Sequence, residues 1–151
     1  LDIECVAEYL AIKKSENYIK EIEDNSILVT ADTIVVVDGV ILGKPKNEQE
    51  AKDFLRLLSF KSHKVITGCC LRNNKNITRH FSQETIVKFK ELTEEEIDYY
   101  VNKFKPFDKA GAYGIQEWIG TMGIENIQGD YYNVVGFPCN RFFKLAKEIA
   151  E

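Results

Sequence analysis

An aspartate stands in the middle of the least polar stretch of this chain. Residues 27–31 (ILVTA) precede Asp32 and residues 33–37 (TIVVV) follow it, a pattern typical of a buried β-strand. An ionised carboxylate is unfavourable in such a strand unless it is paired, hydrogen-bonded or bound to a metal. Asp32 therefore either caps a turn at a strand end or bulge, or serves chemistry that needs a carboxylate in that place.

A lysine is expected to return to the neighbourhood of Asp32. Asp38-Gly39 is a strong two-residue turn signal, so the strand should reverse there and come back through residues 40–42, with Lys44 just beyond them. Because a hairpin brings its two ends together, Lys44 should lie within reach of Asp32. The pair would form either a site for a phosphate and a water molecule or only a salt bridge.

A second lysine, Lys14, lies on the apolar stripe of the first helical pattern, which covers residues 5 to about 23. The stripe recurs every four residues, at Val6, Leu10, Lys14, Tyr18 and Ile22, and Ala7 and Ala11 lie on the same side. A lysine in this position either extends along its own stem to water or binds an anion beside the helix. The sequence pattern leaves both interpretations open.

The elements around these residues predict an α/β fold. Asn47 and Thr93 each precede an acidic residue three positions on, which is typical of a helix N-cap. Residues 63–71 and 77–92 alternate as two long antiparallel strands, and residues 139–151 form a last amphipathic helix. Because strands and helices alternate early and an antiparallel pair fills the middle, we predict a mixed sheet with flanking helices.

Composition limits the possible partners. The chain has 151 residues, 44% hydrophobic and 29% charged, which suits one globular domain, and we find no apolar stretch that predicts a membrane span. Its net charge of −4 gives no broad basic surface, which argues against binding duplex nucleic acid. The cysteines show no CxxC spacing, which argues against a zinc site and favours reduced thiols in the cytoplasm.

Three segments, taken together, resemble a known family. They are residues 31–45 (ADTIVVVDGVILGKP), 108–116 (DKAGAYGIQ) and 129–138 (GDYYNVVGFP), and they occur in the order found in the Maf family of nucleoside triphosphate pyrophosphatases. The resemblance implies an elongated mixed sheet that divides into two lobes around a cleft, related to inosine triphosphatases. It also implies hydrolysis of a nucleoside triphosphate to the monophosphate and pyrophosphate, with a divalent metal cation, Mg²⁺ or Mn²⁺.

The resemblance implies roles for the charged residues. Asp32 would be the proton acceptor that activates water, and it would also be a candidate ligand of the metal. Lys44 and Lys14 would bind phosphate oxygens; residues 11–15 match the family's AxxKA pattern, with Ser15 in place of the final alanine. Asp108 and Lys109 would line the cleft as an ion pair, although surface pairs of this kind are often inert.

Two further positions concern the base. Thr33 and Gln116 match the subgroup that acts on dTTP and UTP, so we expect these nucleotides and modified pyrimidine nucleotides as substrates. The amide of Gln116 offers a donor and an acceptor, which suits the O4 and N3–H edge of uracil or thymine. Alternatively, Gln116 only bonds backbone in a glycine-rich turn.

One departure from the family pattern concerns the start of the chain. The family begins with a strand and a serine- and arginine-containing loop that grips the triphosphate, and no such segment precedes Leu1. We therefore expect residues 1–151 to be a single Maf-like domain without that loop, as in a truncated form of a full-length enzyme.

Family members are often homodimers. The alternative function is that of a non-catalytic nucleotide-binding regulator of septum formation.

Overall fold

The structure, a computed structural model, describes residues 1–150 and contains a five-stranded sheet in the order β2-β1-β3-β4-β5. The strands are β1 (Leu28–Val37), β2 (Val40–Leu42), β3 (Ser62–Arg72), β4 (Thr78–Phe89) and β5 (Ile124–Gln128). The predicted α/β class, with a sheet flanked by helices, is confirmed. Within the described residues, all of the strand pairings are antiparallel.

The described helices surround this sheet. They are α1 (Val6–Glu16), α2 (Glu48–Leu58), α3 (Glu94–Phe104), α4 (Trp118–Gly123), α5 (Tyr131–Val135) and α6 (Cys139–Ala150), with 3₁₀ turns at Ile3–Cys5, Ile19–Glu21 and Ala110–Ala112. The predicted last helix is thus confirmed as far as Ala150, and its final residue lies outside the described range. Among residues 1–150, no helix has both the length and the apolar character that a membrane crossing requires.

The two helix N-caps and the hairpin turn form as the sequence predicts. The Asn47 side chain accepts a hydrogen bond from the backbone N–H of Glu50 at 2.8 Å. Thr93 and Glu96 form a reciprocal capping box, with bonds of 3.1 Å and 2.9 Å. The chain reverses at Asp38 and Gly39, whose φ angles of 50° and 75° are those of a two-residue type I′ hairpin turn.

The core occupies both faces of the sheet. On one face, strands β1, β3 and β4 pack against α2 and α3, with Leu55, Phe89 and Tyr100 among the fully buried side chains. On the other face, a smaller cluster under α1 includes Ile34 and Ile66.

The first helix differs from its prediction. It ends at Glu16 instead of continuing to residue 23, and the predicted apolar stripe is not its buried face, since Leu10 and Tyr18 are exposed. Of the residues predicted on that side, the small Ala7 and Ala11 are buried, and Ser15 completes the buried face. Small side chains allow the helix backbone to lie directly on β3, so close contact with the sheet, and not hydrophobic bulk, decides which side of α1 is buried.

Gly68 on β3 marks this contact. A Cβ atom added at Gly68 would lie 2.2 Å from the backbone nitrogen of Glu8 and 2.3 Å from the carbonyl carbon of Ala7. Gly68 is also the residue of β3 that pairs with Asp32 of β1. The glycine therefore lets α1 approach the sheet beside the aspartate.

Candidate active site

A cavity of about 620 Å³ opens beside β1, near the point where β2 ends. Its walls come from α1, β1, the end of the hairpin and two later segments, residues 108–114 and 134–136. All three of the sequence segments singled out above therefore contribute to it. Residues far apart in the chain meet here because α1 lies against one face of the sheet and the later segments reach the other.

The cavity follows an open edge of β1. Among residues 1–150, strand β2 pairs with Val35, Val36 and Val37 only, and the preceding residues of β1 have no neighbouring strand on that side. In a two-residue hairpin the two residues that flank the turn, here Val37 and Val40, exchange both backbone hydrogen bonds. Because backbone groups alternate along a strand, every second residue before Val37 directs its N–H and C=O groups toward the same edge of β1. Thr33 and Ala31 therefore turn their backbone groups toward the cavity.

Asp32 lies inside β1 and forms an ion pair with Lys14. Lys14 Nζ lies 2.8 Å from Asp32 Oδ1 and also donates to the backbone oxygen of Ala31 at 3.2 Å. The register with β3 is regular through Asp32, so the interpretation of this residue as a cap at a strand end or bulge is wrong. The Asp32 side chain is 24% exposed, and its Oδ2 atom has no hydrogen-bond partner among residues 1–150. That oxygen is available to a water molecule or a cation.

Lys44 lines the same cavity, as the hairpin predicts. It forms no salt bridge with Asp32, whose cationic partner within residues 1–150 is Lys14. The backbone N–H of Gly111 donates to the carbonyl of Gly43 at 3.1 Å, which ties the glycine-rich segment to the end of the hairpin. Lys44 is thus an exposed cation on the wall of the cavity.

Asp108 and Lys109 also line the cavity, as a pair. Lys109 Nζ lies 3.2 Å from Asp108 Oδ1. This hydrogen bond, with the more distant charge of Lys44, holds the pKa of Asp108 below its ordinary value. Three lysines of the described chain, from α1, the hairpin and the glycine-rich segment, therefore face one cavity with the carboxylates of Asp32 and Asp108.

The similarity to known proteins extends over the whole cavity. A family model described as "Maf-like protein" matches residues 2–149. This chain belongs to the Maf family. Proteins named "dTTP/UTP pyrophosphatase" from Porphyromonas gingivalis and Christiangramia forsetii are 46% and 48% identical to it, over 100% and 97% of this chain and 76% and 74% of their own lengths. A protein of the same name from Phocaeicola vulgatus is 47% identical over 99% of this chain and 77% of its own length.

The two residues expected to select the base occupy different places in this Maf protein. Thr33 lines the cavity, and its hydroxyl is 2.9 Å from that of Thr67 on β3. Gln116 is exposed and is not among the residues that line the cavity. Its part in base selection stays a prediction.

Several residues at or behind the cavity were not assigned a role from the sequence. Tyr113 contributes to the wall, and its hydroxyl lies 2.6 Å from His63 Nε2. Burial raises the pKa of Tyr113 and lowers that of His63 to about 4, so both are neutral near pH 7. Glu117 and Tyr100 lie behind the wall. A tyrosine on the apolar stripe of α3 could have drawn attention, because a buried phenol needs a hydrogen-bond partner.

A divalent cation suits the oxygen ligands of the cavity. Within residues 1–150, no group of three or more His, Cys, Asp or Glu residues is placed to hold a metal on its own. Mg²⁺ commonly binds through one or two carboxylates together with substrate phosphates and water. Asp32, whose Oδ2 has no hydrogen-bond partner in the described chain, is the candidate carboxylate for such a cation.

Proposed function

We propose that this protein is a nucleoside triphosphate pyrophosphatase that hydrolyses dTTP and UTP to the monophosphate and pyrophosphate. The observation that carries the proposal is the carboxylate of Asp32, kept inside an apolar strand and oriented by Lys14 at a cavity that two more lysines face. The names of the relatives support these substrates.

In this mechanism Asp32 is the general base. Lys14 holds Oδ1, which leaves Oδ2 to accept a proton from water as the water oxygen attacks a phosphorus atom. A new P–O bond forms, the bond to the bridging oxygen breaks, and that oxygen leaves with the pyrophosphate. Lys14, Lys44 and Lys109 bind the non-bridging oxygens as point charges.

We further propose a requirement for Mg²⁺ or Mn²⁺, with Asp32 as the protein ligand. A bound cation supplies charge neutralisation on the phosphates.

The cytoplasm is the proposed location, which the four cysteines, all free thiols in residues 1–150, support. A homodimer is expected from the family and can be measured by light scattering.

The rival function is a nucleotide-binding regulator of septum formation without catalysis. Asp32 argues against it, because a carboxylate in a phosphate-binding cavity repels the ligand unless it also binds a metal or activates water. A protein that only binds nucleotides would gain affinity by losing this charge.

Pyrophosphate release across a panel of nucleotides tests the proposed function. We expect dTTP and UTP to be cleaved fastest in the presence of Mg²⁺ or Mn²⁺, with activity lost in EDTA. Each reaction should yield equal amounts of monophosphate and pyrophosphate. Binding of dTTP or UTP without pyrophosphate release from any nucleotide would overturn the proposal in favour of the regulator.

Replacing Gln116 by alanine tests base selection separately. If its amide pairs with the base, kcat/KM for dTTP and UTP should fall about 3- to 10-fold, the effect of one or two lost hydrogen bonds, while other triphosphates are less affected. The measurement is the ratio of kcat/KM values across the panel. Gln116 is exposed. An unchanged ratio would therefore mean that its side chain has no part in base selection and belongs only to the surface of the turn.

A further inference from the structure

A chain of polar contacts runs from the core to the cavity wall. Tyr100, fully buried on α3, donates its hydroxyl proton to Glu117 Oε1 at 2.5 Å and accepts a hydrogen bond from the backbone N–H of Gly114 at 3.0 Å. Both hydrogen-bonding functions of the phenol are thereby used. Burial is the first cause of its raised pKa, so the phenol stays protonated and remains a donor to Glu117.

Glu117 in turn lies beside Lys109. The distance from Glu117 Oε1 to Lys109 Nζ is 3.9 Å, so the oxygen that accepts from Tyr100 also faces the ammonium group. Gly114 packs against both side chains: an added Cβ would lie 2.7 Å from Lys109 Cε and 2.9 Å from Glu117 Oε1. The lysine side chain is therefore confined between the backbone of Gly114 and the carboxylate.

The two carboxylates beside Lys109 differ in their freedom to move. The Asp108 side chain is 76% exposed and its hydrogen bond to Lys109 is the kind that water and salt readily break. The Glu117 side chain is 24% exposed and is anchored to a buried phenol. A phosphate entering the cavity can displace Asp108 from Lys109, whereas Glu117 stays in place.

We propose that Glu117 and Tyr100 are positioning residues that hold Lys109 on the cavity wall as a binding group for the triphosphate. The inference rests on the proposed function and adds two residues to it, neither of which touches the substrate. Without the anchor, the flexible stem of Lys109 would populate conformations directed to solvent, and the cavity would present its charge for only part of the time.

The test combines single and double variants. Lys109→Met should raise KM for dTTP or UTP about 10-fold, and Glu117→Gln and Tyr100→Phe about 3- to 5-fold, with kcat within about 2-fold in each case. Because Glu117 acts through Lys109, the double variant Glu117→Gln with Lys109→Met should match Lys109→Met alone. Calorimetric binding of inorganic tripolyphosphate should weaken by the same factors.

The chain offers matched controls for each change. Tyr99, next to Tyr100 on α3, is exposed, so Tyr99→Phe removes a hydroxyl away from the network, and Glu95→Gln removes an exposed carboxylate from the same helix. Neither control should alter KM or tripolyphosphate affinity. Thermal denaturation of every variant separates loss of fold from loss of binding.

The possible outcomes separate this inference from the proposed function. If Glu117→Gln lowers the melting temperature but leaves KM and tripolyphosphate affinity unchanged, or if its effect on KM persists undiminished in the Lys109→Met background, the positioning role is wrong. If the wild-type protein cleaves no nucleotide but binds tripolyphosphate with the expected dependence on Lys109 and Glu117, the proposed hydrolase function fails and the positioning role stands.

Discussion

Asp32→Asn is expected to reduce pyrophosphate release by about 100- to 10,000-fold, the usual contribution of a general base. Asparagine keeps the size of the side chain and an oxygen that can accept from Lys14, but it cannot take a proton from water. Nucleotide binding in the absence of added metal should persist or tighten, because a negative charge leaves the cavity and Lys14 loses its ionic partner. Single-turnover kinetics and calorimetry measure the two effects separately.

The same hairpin supplies the control for this variant. Asp38→Asn makes the same chemical change at the turn, where Asp38 pairs with Lys61 at 2.6 Å and lies outside the cavity. Asparagine also tolerates the positive φ angle of this position. Turnover should be unaffected there. Undiminished turnover in Asp32→Asn would remove this carboxylate from the mechanism and with it the main support for the hydrolase proposal.

The sequence was most informative where structure depends on near neighbours. The turn at Asp38-Gly39 fixes the hairpin by backbone geometry, and the hairpin alone predicts that Lys44 returns to the neighbourhood of Asp32, where both residues line one cavity. The caps at Asn47 and Thr93 depend on residues three positions away. Each of these predictions needs no knowledge of the distant chain, which is why each is confirmed.

Long-range packing was harder to predict. The buried side of α1 depends on Gly68, which is more than fifty positions beyond the end of the helix and leaves room for a helix backbone with small side chains. Apolar periodicity therefore placed Ala7 and Ala11 on the buried side correctly, but it also placed there the larger Leu10 and Tyr18, which are exposed. The same periodicity singled out Lys14, whose ammonium group donates a hydrogen bond to the backbone oxygen of Ala31 on β1. The Tyr100–Glu117 contact joins α3 to a later loop and has no local signal.

Gly68→Ala is expected to destabilise the protein by about 3 kcal/mol or more, at the upper end of the effects of overpacking. The added methyl group would meet the backbone of Ala7 and Glu8 at 2.2 to 2.3 Å, where no flexible side chain can move aside. Helix α1 must shift away from β3 to restore ordinary contact distances. For a chain of this size the melting temperature should fall by about 6 to 12 °C, which calorimetry can measure.

The displacement should also reach the site, because Gly68 pairs with Asp32 and α1 carries Lys14. At a temperature where the variant is folded, we expect a lengthened contact between Lys14 and Asp32 and an increase in KM of about 10-fold, as for loss of one charged contact. Gly43→Ala is the control for stability, since a Cβ there meets nothing within 4 Å. An unchanged melting temperature in Gly68→Ala would mean that α1 does not rest on the backbone of β3. The contact between Lys14 and Asp32 would then have a structural cause other than this close packing.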